Sequence, residues 1–193
     1  MGIYQELHDE VFTTLRTKLP SYLTYHTPEH TANVIEKAEM IAKKENISGH
    51  DLNLIKIAAL FHDIGFIKQN YHHEELGCSM ASEKLLQLHY SQEDIQKICG
   101  MIMATKIPQQ PKTLCEKIVA DADLEYLGTD LFRPISQLLF KEFLHYDPHL
   151  TTRRFNEIQV NFIRKHRYHT QFCIDFREEK KQLNLREIMV HEL

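Results

Sequence analysis

Leu60-Phe61-His62-Asp63-Ile64-Gly65 is the stretch on which the fold of this chain turns. It closes an apolar segment that starts near Asp51 and runs through Leu52, Ile55, Ala58, Ala59 and Phe61 at helical spacing. The segment is apolar nearly all round toward its end, which is expected of a central, buried helix, and Gly65 suits a C-terminal cap. A histidine and an aspartate at the buried end of such a helix are costly unless they are paired or coordinate a metal. His62-Asp63 is therefore the first candidate site.

Helical signals extend outward in both directions, and no stretch shows convincing strand alternation. Ile3, Leu7, Val11 and Leu15 form an i, i+4 stripe that stops at Pro20, giving a first helix over about 3–19. Thr27-Pro28 pairs an N-cap with proline at the first helical position, ahead of Val34, Ile35, Ala38, Ile41 and Ala42, so His30 falls in a first turn. Leu76, Met80 and Leu85 mark a fourth helix. Ser91-Gln92-Glu93-Asp94 resembles a capping box before Ile95, Ile98, Cys99 and Ile102. After Pro108 and Pro111, Leu114, Ile118, Val119 and Ala122 form a sixth helix, expected to end at Gly128. From Phe132 to Leu193 two or three more helices follow, broken at Tyr146-Asp147-Pro148. The fold class is all-α, with one domain spanning 1–193.

Composition bounds the function. With 193 residues, 42% hydrophobic and 26% charged, the chain has ordinary globular usage. A net charge of -4 offers no basic footprint for a nucleic-acid backbone. Arg153-Arg154 and Lys180-Lys181 read as solvated helix faces. The longest apolar run, around Ile57 to Phe61, is far shorter than the roughly 18 residues of a membrane span. No signal-peptide core follows the start, and Glu6 breaks the myristoylation pattern. Cys78, Cys99, Cys115 and Cys173 lack CxxC spacing, so reduced thiols and a cytoplasmic setting are expected. Thirteen histidines are the unusual count, and histidine is the commonest metal ligand.

His30, His62-Asp63 and either Asp121 or Asp123 lie on three separate helices near their ends. Two imidazoles and two carboxylates make a mixed nitrogen and oxygen ligand set suited to one intermediate divalent metal. Asp121 and Asp123 are two residues apart and point to different sides of a helix. His26, four before His30, reads as a capping or stacking residue. His166 and His169, in a charged stretch, read as solvated.

These residues resemble the HD-domain metal-dependent phosphohydrolases. That family's pattern is a His on one helix, a His-Asp dipeptide ending another and a later Asp. Here it looks like His30 in His-Thr-Ala-Asn-Val34, His62-Asp63-Ile-Gly65, and Asp123 in Ala-Asp-Ala-Asp-Leu-Glu-Tyr-Leu-Gly128, over about 22–128. The resemblance implies an HD-type bundle as core, with the N-terminal helix and a C-terminal helical extension over 132–193 packed on it. It implies His30, His62, Asp63 and Asp123 as ligands of one divalent ion (Mn, Fe, Co, Ni, Mg or Zn). Asp123 is preferred because the family's last ligand sits in an Ala-Asp-Leu context, leaving Asp121 to support the ligands from behind or to face the substrate.

His73, in His72-His73-Glu74-Glu75-Leu76-Gly77, matches a position that two-metal relatives use as a further ligand together with a later His-His pair. Met103-Ala104-Thr105-Lys106 stands where that pair would be, which favours one metal. His73 is then assigned to phosphate contact or leaving-group protonation, and Lys106 to phosphate binding as a point charge. The resemblance implies hydrolysis of a phosphate ester or anhydride of a small molecule, commonly a nucleotide, in a pocket shaped by the loop from Lys106 to Lys112. Lys165-His166-Arg167-Tyr168-His169 is a second source of basic contacts. The alternative is a catalytically weak nucleotide-sensing or signalling module on the same fold. A homodimer is left open.

Overall fold

A computed structural model describes residues 2–191 of the chain. Among the described residues there are nine α-helices and no strand. In order they are α1 (Ile3–Lys18), α2 (Pro28–Lys44), α3 (Gly49–Phe61), α4 (His73–Gln87), α5 (Gln92–Met103), α6 (Leu114–Asp123), α7 (Phe132–Tyr146), α8 (Thr152–Lys165) and α9 (Gln171–His191). Short 3-10 turns follow α3, at Ile64–Ile67, and α6, at Glu125–Gly128.

The expected central helix is α3. Leu54, Ile55, Ile57, Ala58, Ala59, Leu60 and Phe61 are all buried along it. Around it pack the apolar faces of α1, α2, α4, α5 and α6 in one large core cluster. A smaller cluster joins Tyr25, Leu124, Tyr126 and Leu127 to Phe132 of α7, Val160 and Ile163 of α8, and Leu185 and Ile188 of α9. The polar end of α3 lies between these two apolar regions.

Local chemistry sets several of the boundaries. The Thr27 hydroxyl accepts from the His30 backbone N–H at 3.3 Å, capping α2, a contact of about 1 kcal/mol in typical helices. Ser91 caps α5 by accepting from the Asp94 N–H. Thr113 and Glu116 form a reciprocal capping box at α6. This Thr-x-x-Glu signal is present in the sequence and marks the helix start more sharply than the apolar pattern.

Three expectations need correction. Gly65 does not cap α3 in a left-handed conformation; it lies inside the 3-10 turn, where a Cβ would stand 2.0 Å from the His73 carbonyl oxygen. The glycine is required by backbone approach, not by backbone angle. The sixth helix ends at Asp123 rather than Gly128, and the following 3-10 turn brings Gly128 against Arg177 of α9, with an added Cβ 2.3 Å from the Arg177 carbonyl oxygen. Lys181 is not solvated. It is fully buried, donating to His166 Nδ1 at 3.2 Å and His166 O at 3.1 Å, pairing with Glu178 at 2.8 Å, and lying over the Tyr168 ring. His166 is buried with it. A buried ammonium is tolerated only with such partners.

Buried polar side chains also tie the C-terminal helices to the rest. Glu142 of α7 accepts from the backbone N–H groups of Tyr25 and His26 and pairs with the His26 ring. Asn184 of α9 donates to the Leu127 and Thr129 carbonyls at 2.9 and 3.0 Å. Arg177 pairs with buried Glu125. All four cysteines are free thiols. Among the described residues no helix is long and apolar enough to cross a membrane.

Two predictions follow from this packing. Gly65→Ala drives a methyl into the His73 backbone, so thermal unfolding should drop by at least about 5 °C, from overpacking of more than 1–3 kcal/mol. An unchanged Tm would contradict the close approach. Burial, and then the positive charge of Lys181 with smaller contributions from His169 and Arg167, lowers the His166 imidazole from 6.5 to about 3. The unfolded chain takes up this proton near pH 6.5 and the folded chain only near 3. Stability present above pH 6.5 is thus lost as pH falls toward 3, by up to about 1.4 kcal/mol per unit. Urea titrations at pH 7, 6, 5 and 4 should show His166→Asn, which keeps an acceptor for Lys181, losing stability less steeply than the native chain.

Candidate metal centre

Three helix ends place the cluster. His30 stands in the first turn of α2, held there by the Thr27 cap. His62 and Asp63 follow directly on α3, and Asp123 is the last residue of α6. The C-terminal ends of α3 and α6 direct their negative dipole ends at the same point, which favours a cation there.

The separations are short. His62 Nε2 lies 3.3 Å from His30 Nε2 and 3.1 Å from Asp63 Oδ2. His30 Nε2 lies 3.3 Å from Asp63 Oδ2 and 3.2 Å from Asp123 Oδ1, and His62 Nε2 is 3.6 Å from the latter. His30, His62 and Asp123 can each offer an atom within 4.8 Å of the other two. Ligands sharing one ion at about 2.1 Å stand roughly 3.0–3.4 Å apart, so the spacing fits.

Proton accounting decides what the cluster needs. His62 Nδ1 is 2.8 Å from the Ala59 carbonyl, which can only accept, so Nδ1 carries the hydrogen and Nε2 of the neutral ring presents a lone pair. Asp63 Oδ2 is buried and has no hydrogen-bond partner. With His62 neutral the cluster crowds lone pairs together, and positive charge, from a proton on an imidazole or from a bound cation, would compensate them. The Ala59 contact is also the outer partner that orients a metal-binding imidazole. The donor set fits a divalent ion.

Protonation energetics tell the same story. Burial opposes charge on both rings, but Asp63 and Asp123 outweigh it, raising His30 and holding His62 well above its usual value. Burial likewise pushes the carboxyls up, and the facing imidazoles overcome it, taking Asp63 well below the usual range and Asp123 down to about 2. The centre demands positive charge, whether from protons or from a metal ion.

Around it, His26 and His73 each stack on Phe66 with ring centroids 4.1 Å away. His73 Nδ1 donates to Asn70 O at 2.9 Å, which turns Nε2 toward Asp63 Oδ1 at 3.5 Å. His26 stacks, as expected, and is anchored by Glu142, a contact made across more than a hundred residues and without a local signal.

The centre opens into a cavity of about 300 Å³. Tyr25, His26, Asp63, His73 and Asp123 line its near end; Leu127, Phe132, Leu139, Phe143, Phe155 and Phe162 form its far walls. Those apolar residues have no counterpart in the site expected from sequence. Their signal was available only as apolar spacing in α7 and α8, indistinguishable from ordinary core.

Two expected site residues are not brought here. Asp121 is fully buried on the other side of α6, accepting from the N–H groups of His169 and Thr170 and from the Thr170 hydroxyl. It anchors the entry to α9. Lys106 does not line the cavity; its ammonium is paired with Glu75. Of the loop from Lys106 to Lys112, only Ile107 reaches the cavity. Lys165, His166, Arg167 and His169 line a separate depression with Ile107, Pro108 and Gln109.

The HD domain family model matches residues 27–125, and the chain belongs to this family. Several solved structures share the fold. YpgQ from Bacillus subtilis, crystallised in complex with ADP, is 21% identical with a TM-score of 0.63, over 98% of this chain and 97% of that one. Its selenomethionine form gives 20% identity and 0.66, over 96% and 94%. A predicted HD superfamily hydrolase from an uncultured Thermotogales bacterium gives 21% and 0.56, over 86% and 97%. The comparison with curated proteins returned no match.

The two aspartates of α6 should separate cleanly on substitution. Asp123→Asn should lose bound metal, measured by elemental analysis after purification. Asp121→Asn should retain it while its melting temperature falls by several degrees, because hydrogen bonds to a charged acceptor are worth about 1.5–3 kcal/mol each. The reverse pattern would reject the cluster described above.

Proposed function

We propose that the chain is a metal-dependent phosphohydrolase acting on a small phosphorylated molecule. The observation that carries this reading is the convergence of two imidazoles and two carboxylates, His30, His62, Asp63 and Asp123, at the head of a largely apolar cavity. Membership of the HD-domain family supports it. A nucleotide is the substrate the family resemblance implies, and the ADP complex of YpgQ adds support for ligands of that class.

His30, His62, Asp63 and Asp123 would hold one divalent ion. Such an ion supplies a Lewis acid for a phosphoryl oxygen and makes water a competent nucleophile near neutral pH. The side chains then divide the remaining work. Asp63 has its second oxygen, Oδ1, facing His73, and accepts the proton of the attacking water. The water oxygen bonds to phosphorus as the bond from phosphorus to the leaving oxygen breaks. His73, fixed by Asn70 and Phe66 with Nε2 in the cavity facing Asp63 Oδ1, would receive that proton on Nε2 and pass it to the leaving oxygen. The Tyr25 phenol is kept protonated by burial and by the neighbouring Tyr126, Asp123 and Asp63. Lys106 and Asp121 have no part in this scheme, being engaged by Glu75 and by the start of α9.

Metal analysis of the purified chain, followed by a phosphate-release screen over phosphomonoesters and nucleotides with Mn or Co, tests the reading. His62→Ala and Asp63→Ala should each lower metal content and reduce turnover by at least about 100-fold. Full metal content and full activity in both variants would refute the mechanism. Metal retention with no hydrolysis of any compound would favour the sensing module instead.

A further inference from the structure

Building on the phosphohydrolase reading, but in place of the nucleotide that the family resemblance implies, we propose that the preferred substrate is a monoester joining a single phosphoryl group to an apolar body, a ring or a short hydrocarbon chain, seated between α7 and α8.

The titratable side chains His26, Asp63, His73, Glu74 and Asp123 that line the cavity gather at its metal end. Among its lining residues the buried side-chain atoms without a partner are Asp63 Oδ2 and the Tyr25 hydroxyl. Both stand at the metal centre; the Tyr25 ring is 4.5 Å from that of His30. Farther in, polar side chains are already committed. Thr105 donates to the Ile102 carbonyl at 2.8 Å, and the Gln159 amide donates to Asn156 at 3.2 Å while its oxygen accepts from Ser136. Apart from the Tyr126 phenol, what remains is the hydrocarbon of Leu127, Leu139, Phe132, Phe143, Phe155 and Phe162. A sugar or a base carries several polar atoms, and each one buried there without a partner costs about 1–3 kcal/mol.

Charge points the same way. No lysine or arginine lines the cavity, whereas Glu74, 7% exposed, does. One phosphoryl group is served by the metal centre; further phosphoryl groups would bring negative charge with no cation to meet it. The nearest expected cation, Lys106, is held by Glu75. Size agrees as well: about 300 Å³ is twice the roughly 150 Å³ that accommodates benzene, leaving room for a ring and its phosphoryl group. The far walls from Leu127 onward lie beyond residues 27–125, so this selectivity belongs to the chain's own C-terminal helices. In the reaction, the bond between phosphorus and the ester oxygen breaks, the water oxygen takes its place on phosphorus, and the apolar alcohol or phenol leaves with a proton.

Calorimetric binding to the full, Mn-loaded chain tests the assignment without turnover, using methylphosphonate, phenylphosphonate, ribose 5-phosphate and ADP. Phenylphosphonate should bind at least about 30-fold more tightly than methylphosphonate, and more tightly than ribose 5-phosphate or ADP. Phe162→Gln should cut the phenyl-to-methyl ratio about 10-fold with metal content unchanged. Equal affinity for the two phosphonates, tighter binding of ADP or ribose 5-phosphate, or no binding by any of the four overturns the proposal; the native ratio decides even if the variant fails to fold. Phosphate release from phenyl phosphate is measured in parallel. Phenylphosphonate selectivity without release would leave the pocket assignment standing and remove the hydrolytic reading; release with ADP preferred would do the opposite.

Discussion

The imidazoles of His30 and His62 and the carboxylates of Asp63 and Asp123 are held with their facing nitrogens and oxygens 3.1 to 3.6 Å apart. With both rings neutral, the converging lone pairs and carboxylates would repel one another. The fold therefore stores a demand for positive charge at one point, and three helices must be stiff enough to hold it there. α3 meets that requirement by being buried along most of its length, α2 by its Thr27 cap, and α6 by its capping box and by ending at the ligand itself.

Around this point the chain divides its labour. The large apolar cluster about α3 fixes the ligands, while the smaller cluster, built from the Glu125–Gly128 turn and α7 to α9, encloses the space in front of them. The second region is apolar where it faces the cavity and polar where it is fastened down. Lys181 with His166, Arg177 with Glu125, and Asn184 with two backbone carbonyls are all buried attachments of α9. Asp121 belongs to the same set of fastenings, since it receives the first turn of α9 from the far side of α6.

What was legible in the sequence was what local chemistry writes down. The stripe of α1, the Thr27-Pro28 start and the apolar run of α3 each reflect a one-dimensional pattern, and the family resemblance supplied the four residues that the structure brings together. Less was legible where two distant segments meet. Gly65 looks like any helix-ending glycine until α4 is laid against it, and Lys181 looks solvated until His166 and Tyr168 close over it. Glu75, in the first turn of α4, pairs with the Lys106 ammonium, a contact that no local pattern signals. The cavity walls were hidden for a related reason, because an aromatic residue facing a ligand and one facing a core share the same spacing.

Glu142 links the two regions most directly. Its carboxylate grips the backbone at Tyr25 and His26 as well as the His26 ring, immediately before the cap that positions His30. The helix that walls the cavity thus also steadies the entrance to a ligand-bearing helix. The C-terminal helices are consequently not an interchangeable cassette: a chimaera that imported another α7 to alter selectivity would have to import a carboxylate at this position too, or the new specificity would arrive with a loosened first ligand.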